Sequence, residues 1–278
     1  MGLVLMRFPG GLERALTLSY DDGVQQDEKL IGIMRKHGLK GTFNLNSGEY
    51  PPEGTTYPAG QIHRRMTRDE ATQLYKESGM EVAVHALTHP FLQELPPVVC
   101  VREVFRDREN LEEQFGCIVR GMAYPFGTYS DEVVQILKAN GIAYARTVHS
   151  TRNFDIPRDW LRMPATCHHN DPELMNLAKR FIEPAHWTIS RLFYLWGHSY
   201  EFEDRNNWNV IEEFAEYVGG RDDIWYATNI EIYDYVEAWR SLIVSADGKR
   251  AYNPTAFELF YDNRGTAGSI KPGETKLL

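Results

Sequence analysis

The feature that most constrains this chain is a regular alternation of two kinds of segment. Short apolar runs rich in β-branched and aromatic residues recur at 15–20 (ALTLSY), 41–45 (GTFNL), 80–85 (MEVAVH), 118–124 (IVRGMAY), 143–148 (AYARTV), 192–197 (LFYLWG) and 224–228 (IWYAT). Each has the length and composition of a strand. Between or after them lie longer amphipathic stretches: DEKLIGIMRKHG, TRDEATQLYKESG, VREVFRDRENLEEQFG, SDEVVQILKANG, DPELMNLAKRFIE, NNWNVIEEFAEYVGG and IEIYDYVEAWRSLI. Thr67 with Glu70 three residues on forms a capping-box pattern closed by Gly79, and the first of these stretches ends in basic residues before Gly38. Strand followed by helix, repeated, predicts an α/β fold with a mainly parallel sheet.

A doubly wound sheet and a closed barrel both satisfy that pattern. The near-constant repeat length and the absence of a Gly-x-Gly-x-x-Gly loop after the first strand favour the barrel, one strand short of the usual eight. After residue 245 the pattern changes to SADGKRAYNPTAFELFYDNRGTAGSIKPGETKLL, with turn signals at Asp247–Gly248, Asn253–Pro254 and Pro272–Gly273. The expected organisation is a (β/α)7 barrel over 1–245 and a short C-terminal β extension over 246–278 packed on it.

Composition narrows the partners. The 278 residues can bury a sizeable core, and a net charge of −9 argues against nucleic acid or an anionic membrane as the main partner. A small or neutral substrate fits better. No run approaches the roughly 20 apolar residues of a membrane span. The opening MGLVLMRFPGGLERAL has neither a basic leader nor a small-residue cleavage site, so the expected location is cytoplasmic, although a secreted chain trimmed of its leader would read the same. Cys100, Cys117 and Cys167 are odd in number and widely spaced, giving neither a disulfide framework nor a Cys-x-x-Cys site. Any metal must be held by histidines and carboxylates.

The first strand ends in LSYDDG, where two adjacent carboxylates, Asp21 and Asp22, stand in place of a plain turn. They either cap the next helix or divide a metal ion and a proton between them. The stretch EVAVHALTHP supplies partners, His85 closing a strand and His89 four residues on. That spacing puts both imidazoles on one face if the chain turns helically. Loops leaving the C-terminal ends of parallel strands gather on one side, so these residues should meet. One carboxylate with two imidazoles suits Zn²⁺, Fe²⁺, Co²⁺ or Mn²⁺ and leaves positions open for water and substrate. His198, in LFYLWGHSYEFE, leaves a later strand on the same side and is the residue type that protonates a leaving group near neutral pH.

In order and spacing these segments resemble the polysaccharide deacetylase family, carbohydrate esterase family 4, also called the NodB-homology domain. SYDDG resembles its first motif with Tyr20 in place of Phe, HALTH the second with Ala86 relaxing it, AYPFG the third and WGHS the fifth. The resemblance spans residues 15 to about 230 and implies a distorted (β/α) barrel. It implies Asp21 as general base, Asp22, His85 and His89 as metal ligands, and His198 as general acid. One divalent ion is implied, zinc first, with cobalt, manganese, iron or nickel as alternatives. Phe126 would give its backbone N–H to the oxyanion, Tyr124 would line the substrate, and Trp196 would wall the acyl methyl group.

The implied reaction is metal-dependent hydrolysis of an N-acetyl group from an amino sugar, oligosaccharide or polysaccharide. Hydrolysis of a small non-sugar amide or cyclic imide is the alternative, and carbohydrate binding without turnover a third reading. Two departures stand out. Ala123 occupies the place of the third-motif Arg that orients the base, for which Arg146 is a substitute within reach, and the fourth motif has only Asp159–Trp160 as a loose match. Tyr20, Tyr124, Tyr129, Trp187 and Tyr200 are candidates for stacking on sugar faces, with core packing the default. His168 and His169 have no third partner at ligand spacing and read as a solvated pair.

Overall fold

The computed structural model describes residues 4–184 and 189–278, so Trp187 lies outside the described residues. At its centre run the strands Arg14–Asp21, Gly41–Leu45, Glu81–Val84, Gly121–Ala123, Tyr144–Ser150, a sixth broken into Met163–Ala165 and Cys167–His168, and Arg191–Gly197. Each pairs in parallel with the next, and the last pairs with the first from Arg14↔Arg191 to Tyr20↔Gly197. The broken sixth strand meets the fifth through Arg146↔Met163 and the seventh through Cys167↔Leu195. Thr166 bridges its two halves, donating its N–H to the Tyr194 carbonyl at 2.9 Å and accepting from the Arg152 N–H at 2.8 Å. The ladder therefore returns on itself, and the architecture is a distorted seven-stranded α/β barrel.

The first strand is buried at all eight positions, as expected for a stave covered on both faces. Around the barrel lie α1 (Asp27–Lys36), α2 (Arg68–Lys76), α3 (Pro97–Phe115), α4 (Asp131–Ala139), α5 (Leu174–Ile182), α6 (Tyr200–Asp204), α7 (Asn209–Val218) and α8 (Asn229–Arg240). The capping box at Thr67 forms, with its hydroxyl accepting from the Glu70 N–H and the Glu70 carboxylate accepting from the Thr67 N–H, and a second one forms at Thr228.

The expected strand count holds, but one member differs. Ile224–Tyr226 is a strand, yet it pairs only with Arg14–Leu16, before the Gly41 strand takes over at Leu18. It wedges into one end of the barrel and is not one of the seven. Residues 163–168 take that place, and they escape a sequence reading because the run is short, contains Pro164 and is interrupted at Thr166.

The C-terminal segment forms two antiparallel sheets. Ile243–Val244, Arg250–Tyr252 and Thr275–Leu277 make one. In the other, Leu259–Asn263 lies between Thr266–Ile270 and the N-terminal strand Val4–Arg7, a pairing that no local pattern in the sequence announces. Tyr235 of α8 ties this sheet to the barrel, donating its hydroxyl to the Arg7 carbonyl at 2.7 Å and accepting from the Phe260 N–H at 3.0 Å. No helix among the described residues is long and apolar enough to cross a membrane.

A candidate metal and acid–base centre at the barrel mouth

The strands deliver their chemistry at their C-terminal ends. Asp21 is the last residue of the first strand and Asp22 the next, His85 follows the third strand, Ala123 ends the fourth, and His198 follows the seventh. Sequence position thus becomes spatial convergence. Asp22, His85 and His89 each offer a ligand atom, all within 4.8 Å of one another. Asp22 Oδ1 lies 3.9 Å from His85 Nε2 and 3.8 Å from His89 Nε2.

This donor set fits a divalent cation, and the surrounding hydrogen bonds say why. His85 Nδ1 lies 2.8 Å from the Ala123 carbonyl, which can only accept, so Nδ1 carries the proton and Nε2 turns its lone pair to the cluster. Burial pushes the His85 imidazole down to about 4 against the pull of Asp21 and Asp22, and burial lowers His89 as well. Burial would raise Asp22, but the hydrogen bond from His63 and the neighbouring His85, His198 and Arg65 hold it well below the usual carboxylate range. A charged carboxylate beside two neutral imidazoles is what a cation of the zinc type takes.

Asp21 is held apart from this task. Arg146 Nη2 forms a short, buried ion pair with its Oδ2, and Asn44 Nδ2 donates to its Oδ1 at 2.8 Å. Burial raises Asp21, but Arg146, His85 and His198 more than offset this and place its carboxyl below the ordinary value. It is a carboxylate at neutral pH. The Arg146 guanidinium is fully buried and lies 4.4 Å from the Trp196 ring, so Trp196 backs the arginine that backs the base. Arg146 stands opposite Ala123 in the parallel ladder, and in-register neighbours present their side chains to the same face.

His198 Nε2 lies 3.8 Å from Asp21 Oδ2, the oxygen that Arg146 also pairs with. Its Nδ1 bonds Glu201 at 2.7 Å. Burial alone would lower His198, whereas the Glu201 hydrogen bond and the charges of Asp21 and Asp22 raise it above the ordinary imidazole value. Asp159 does not fill the fourth-motif role. It caps the turn at 160–162 and bonds Arg162 at 2.7 Å, while the Trp160 Nε1 donates to Glu237. Glu201, one turn along from His198 at the start of α6, is the carboxylate in contact with the acid candidate.

The pair His168 and His169 is not solvated. Both face Glu201, with Nε2 at 3.5 and 3.4 Å, and His169 is fully buried against Phe202. Gly197 makes this possible, since a Cβ there would sit 2.0 Å from His169 Nδ1. His168, His198 and Glu201 also lie close enough together to suggest a metal. The hydrogen bonds argue against one. The Asn170 N–H donates into His168 Nδ1 at 3.1 Å, which puts the ring proton on Nε2, the atom that faces Glu201. That nitrogen is a donor to the carboxylate and has no lone pair for a cation. Burial would raise Glu201, but the three histidines facing it, His198 through a hydrogen bond, hold it well below the usual carboxylate range.

The remaining predicted residues divide. Phe126 sits beside His89, with ring centroids 4.5 Å apart. Tyr124 is buried, its hydroxyl donating to the Leu161 carbonyl at 2.8 Å and its N–H to the Arg146 carbonyl at 3.0 Å, so neither donor faces a substrate. Tyr20 is likewise buried, Tyr129 stacks on Tyr124, and Tyr200 packs against His63.

Sequence reasoning missed His63 and Arg65, which reach Asp22 at 3.3 and 3.4 Å from the long loop before α2. Nothing in that loop announces them. Glu201 was findable in principle, as His-x-x-Glu at a helix start. Backbone strain marks the same place. Asp22, Ala86, His89 and Phe126 all have positive φ (81, 61, 53 and 57°), four of the seven such non-glycine residues described. Conformations of this cost persist where surrounding structure enforces them, commonly at functional sites.

The polysaccharide deacetylase family model matches residues 10–145. Among solved structures, a protein from Mycobacterium smegmatis assigned as a polysaccharide deacetylase is 16% identical with a TM-score of 0.61, covering 85% of this chain and 94% of its own. A family 4 carbohydrate esterase from Streptomyces lividans, in complex with acetate, is 15% identical with a TM-score of 0.50, covering 78% and 93%. A pseudoenzyme of the same esterase family from Bacillus anthracis is 17% identical with a TM-score of 0.49, covering 83% and 68%. The Mycobacterium smegmatis and Streptomyces lividans structures share the fold, and the family match shows that residues 10–145 are similar to the polysaccharide deacetylase family.

Proposed function

We propose that this chain is a metal-dependent hydrolase that removes the N-acetyl group of an amino sugar within an oligosaccharide or polysaccharide. The observation that carries the reading is the arrangement around Asp21, a buried carboxylate set between Arg146 and His198 and next to the Asp22, His85 and His89 cluster. A divalent ion held by Asp22, His85 and His89, zinc first by donor chemistry, supplies Lewis-acid polarisation of the acyl carbonyl and a more acidic water.

The protein's own groups do the rest. Asp21, ionised and fixed by Arg146 and Asn44, accepts the proton of the attacking water. The backbone N–H of Phe126 supports the oxyanion as the carbonyl becomes tetrahedral. His198 acts as an imidazolium, its Nδ1 proton held by Glu201, and it gives its Nε2 proton to the departing amine, leaving the neutral Nδ1–H form. Base and acid flank one point, so the proton taken by Asp21 and the one given by His198 serve the same collapsing intermediate. Trp196 closes the site behind Arg146.

The test is acetate release from a panel of N-acetylated oligosaccharides by metal-loaded and metal-stripped protein, with cyclic imides alongside. Release only with metal is expected, and Asp21→Asn should lower it by at least about a hundredfold while metal uptake persists. Imide opening without acetate would transfer the protein to the amide and imide reading. Unchanged turnover in Asp21→Asn would remove Asp21 from its role.

A further inference from the structure

Large aromatic side chains in water are normally accounted for by what covers them. Beside the candidate metal cluster two are left half-exposed and stacked on each other. Phe91 is 46% exposed and Phe126 50%, with centroids 3.8 Å apart and planes within 11°. Phe91 follows the loop that carries His89, and Phe126 follows the fourth strand. The two loops are tied by the Thr128 hydroxyl donating to Gln93 Oε1 at 2.7 Å. Phe126 is held out in the left-handed region (φ 57°) and meets His89 edge-on at 4.5 Å. Gly127 lets the chain turn there, since it has φ +70° and a Cβ would fall 2.3 Å from Val148. Strain and exposure act together to keep two phenyl rings at the rim.

We propose that the Phe91–Phe126 stack is a binding platform for a second pyranose ring, the neighbour of the sugar whose acetamide enters the site. This rests on the deacetylase reading for the position of the first sugar. The platform is continuous with the candidate site through His89, so a chain of sugars entering the site passes over it. A pyranose ring presents a face of C–H groups that packs on an aromatic face, while its hydroxyls stay in water. Such a flat, rigid contact needs no charge, and the platform itself offers none. A neutral oligosaccharide is the occupant it fits, and a single sugar would leave it bare.

The experiment is calorimetric titration of the metal-loaded protein with N-acetylglucosamine and with its β-1,4-linked tetramer, for wild type, Phe91→Ala and Phe91→Trp. Acetate release is followed on the same two ligands. Wild type should bind the tetramer more tightly than the monomer. Phe91→Ala should lose about five- to tenfold of that preference, and Phe91→Trp should keep it. A loss of preference that Phe91→Trp restores cannot come from misfolding. Equal affinities of wild type for monomer and tetramer, or a preference that survives Phe91→Ala, would overturn the platform. Tetramer preference intact in wild type would uphold the platform even with no acetate released from either ligand, while silence across the whole panel of N-acetylated oligosaccharides would sink the deacetylase reading, so the two failures are distinguishable.

Discussion

Arg146 shows how one side chain's role is set by its neighbour's register. Ala123, where the third motif usually has its arginine, is the in-register partner of Arg146, so the guanidinium reaches Asp21 from the adjacent strand. Arg146→Ala should cut kcat by about a hundredfold, because the base carboxylate loses both its orientation and its charge partner. Adding Ala123→Arg to that variant should restore part of it, and a double variant no better than the single one would refute the substitution of one position for the other. Glu201 has the matching role for the acid. Since its hydrogen bond raises His198, Glu201→Gln should move the alkaline limb of the kcat/KM profile to lower pH, and an unmoved limb would exclude it. Asp21, Asp22, His85, His89 and His198 were legible because each sits in a local motif. Arg146 could be named only as a substitute within reach, since its use depends on which strands pair, and Glu201 was not named, since its contact with His198 depends on the helix that starts there. Asp159 fails for the converse reason, as a motif-like dipeptide whose fold position gives it other partners.

At the level of elements, α1 anchors the acid side of the site. Asp27, fully buried in its first turn, accepts from the Tyr75 hydroxyl of α2 and from the Ser199 hydroxyl next to His198, each at 2.5 Å. Burial raises its carboxyl from 3.8 to about 7, only partly offset by those bonds. The folded state therefore holds this proton more tightly than the unfolded chain. The stabilisation is full below about pH 4 and is lost as the pH rises through 7. Asp27→Asn should accordingly show a flatter fall in urea midpoint between pH 5 and 8 than wild type, and equal slopes would sink this account. Periodicity revealed seven of the eight helices, all but the short α6, and six of the seven barrel strands, because burial on alternating or helical faces leaves a pattern in the residues. The sixth strand leaves none, as its two short pieces are held by neighbours on both sides and need no strand propensity of their own.

For the whole molecule, a metal bound only by the folded chain must stabilise all of it. Zinc at about a hundred times its dissociation constant should add about 2.7 kcal/mol, seen as a raised Tm that a chelator reverses. His89→Ala, which removes a partly exposed ligand candidate without opening the core, should abolish that rise. An identical rise in the variant would place the ion elsewhere.

The strand Val4–Arg7 has its partner in Leu259–Asn263, with Val4 opposite Asn263. On a ribosome the first of these emerges early and the second only after the whole barrel has been made. Throughout synthesis the early strand therefore carries an unpaired edge, a template for pairing with a neighbouring nascent chain. This pairing joins Arg7 to Phe260, so it closes a longer loop than the Arg14 to Arg191 pairing that closes the barrel.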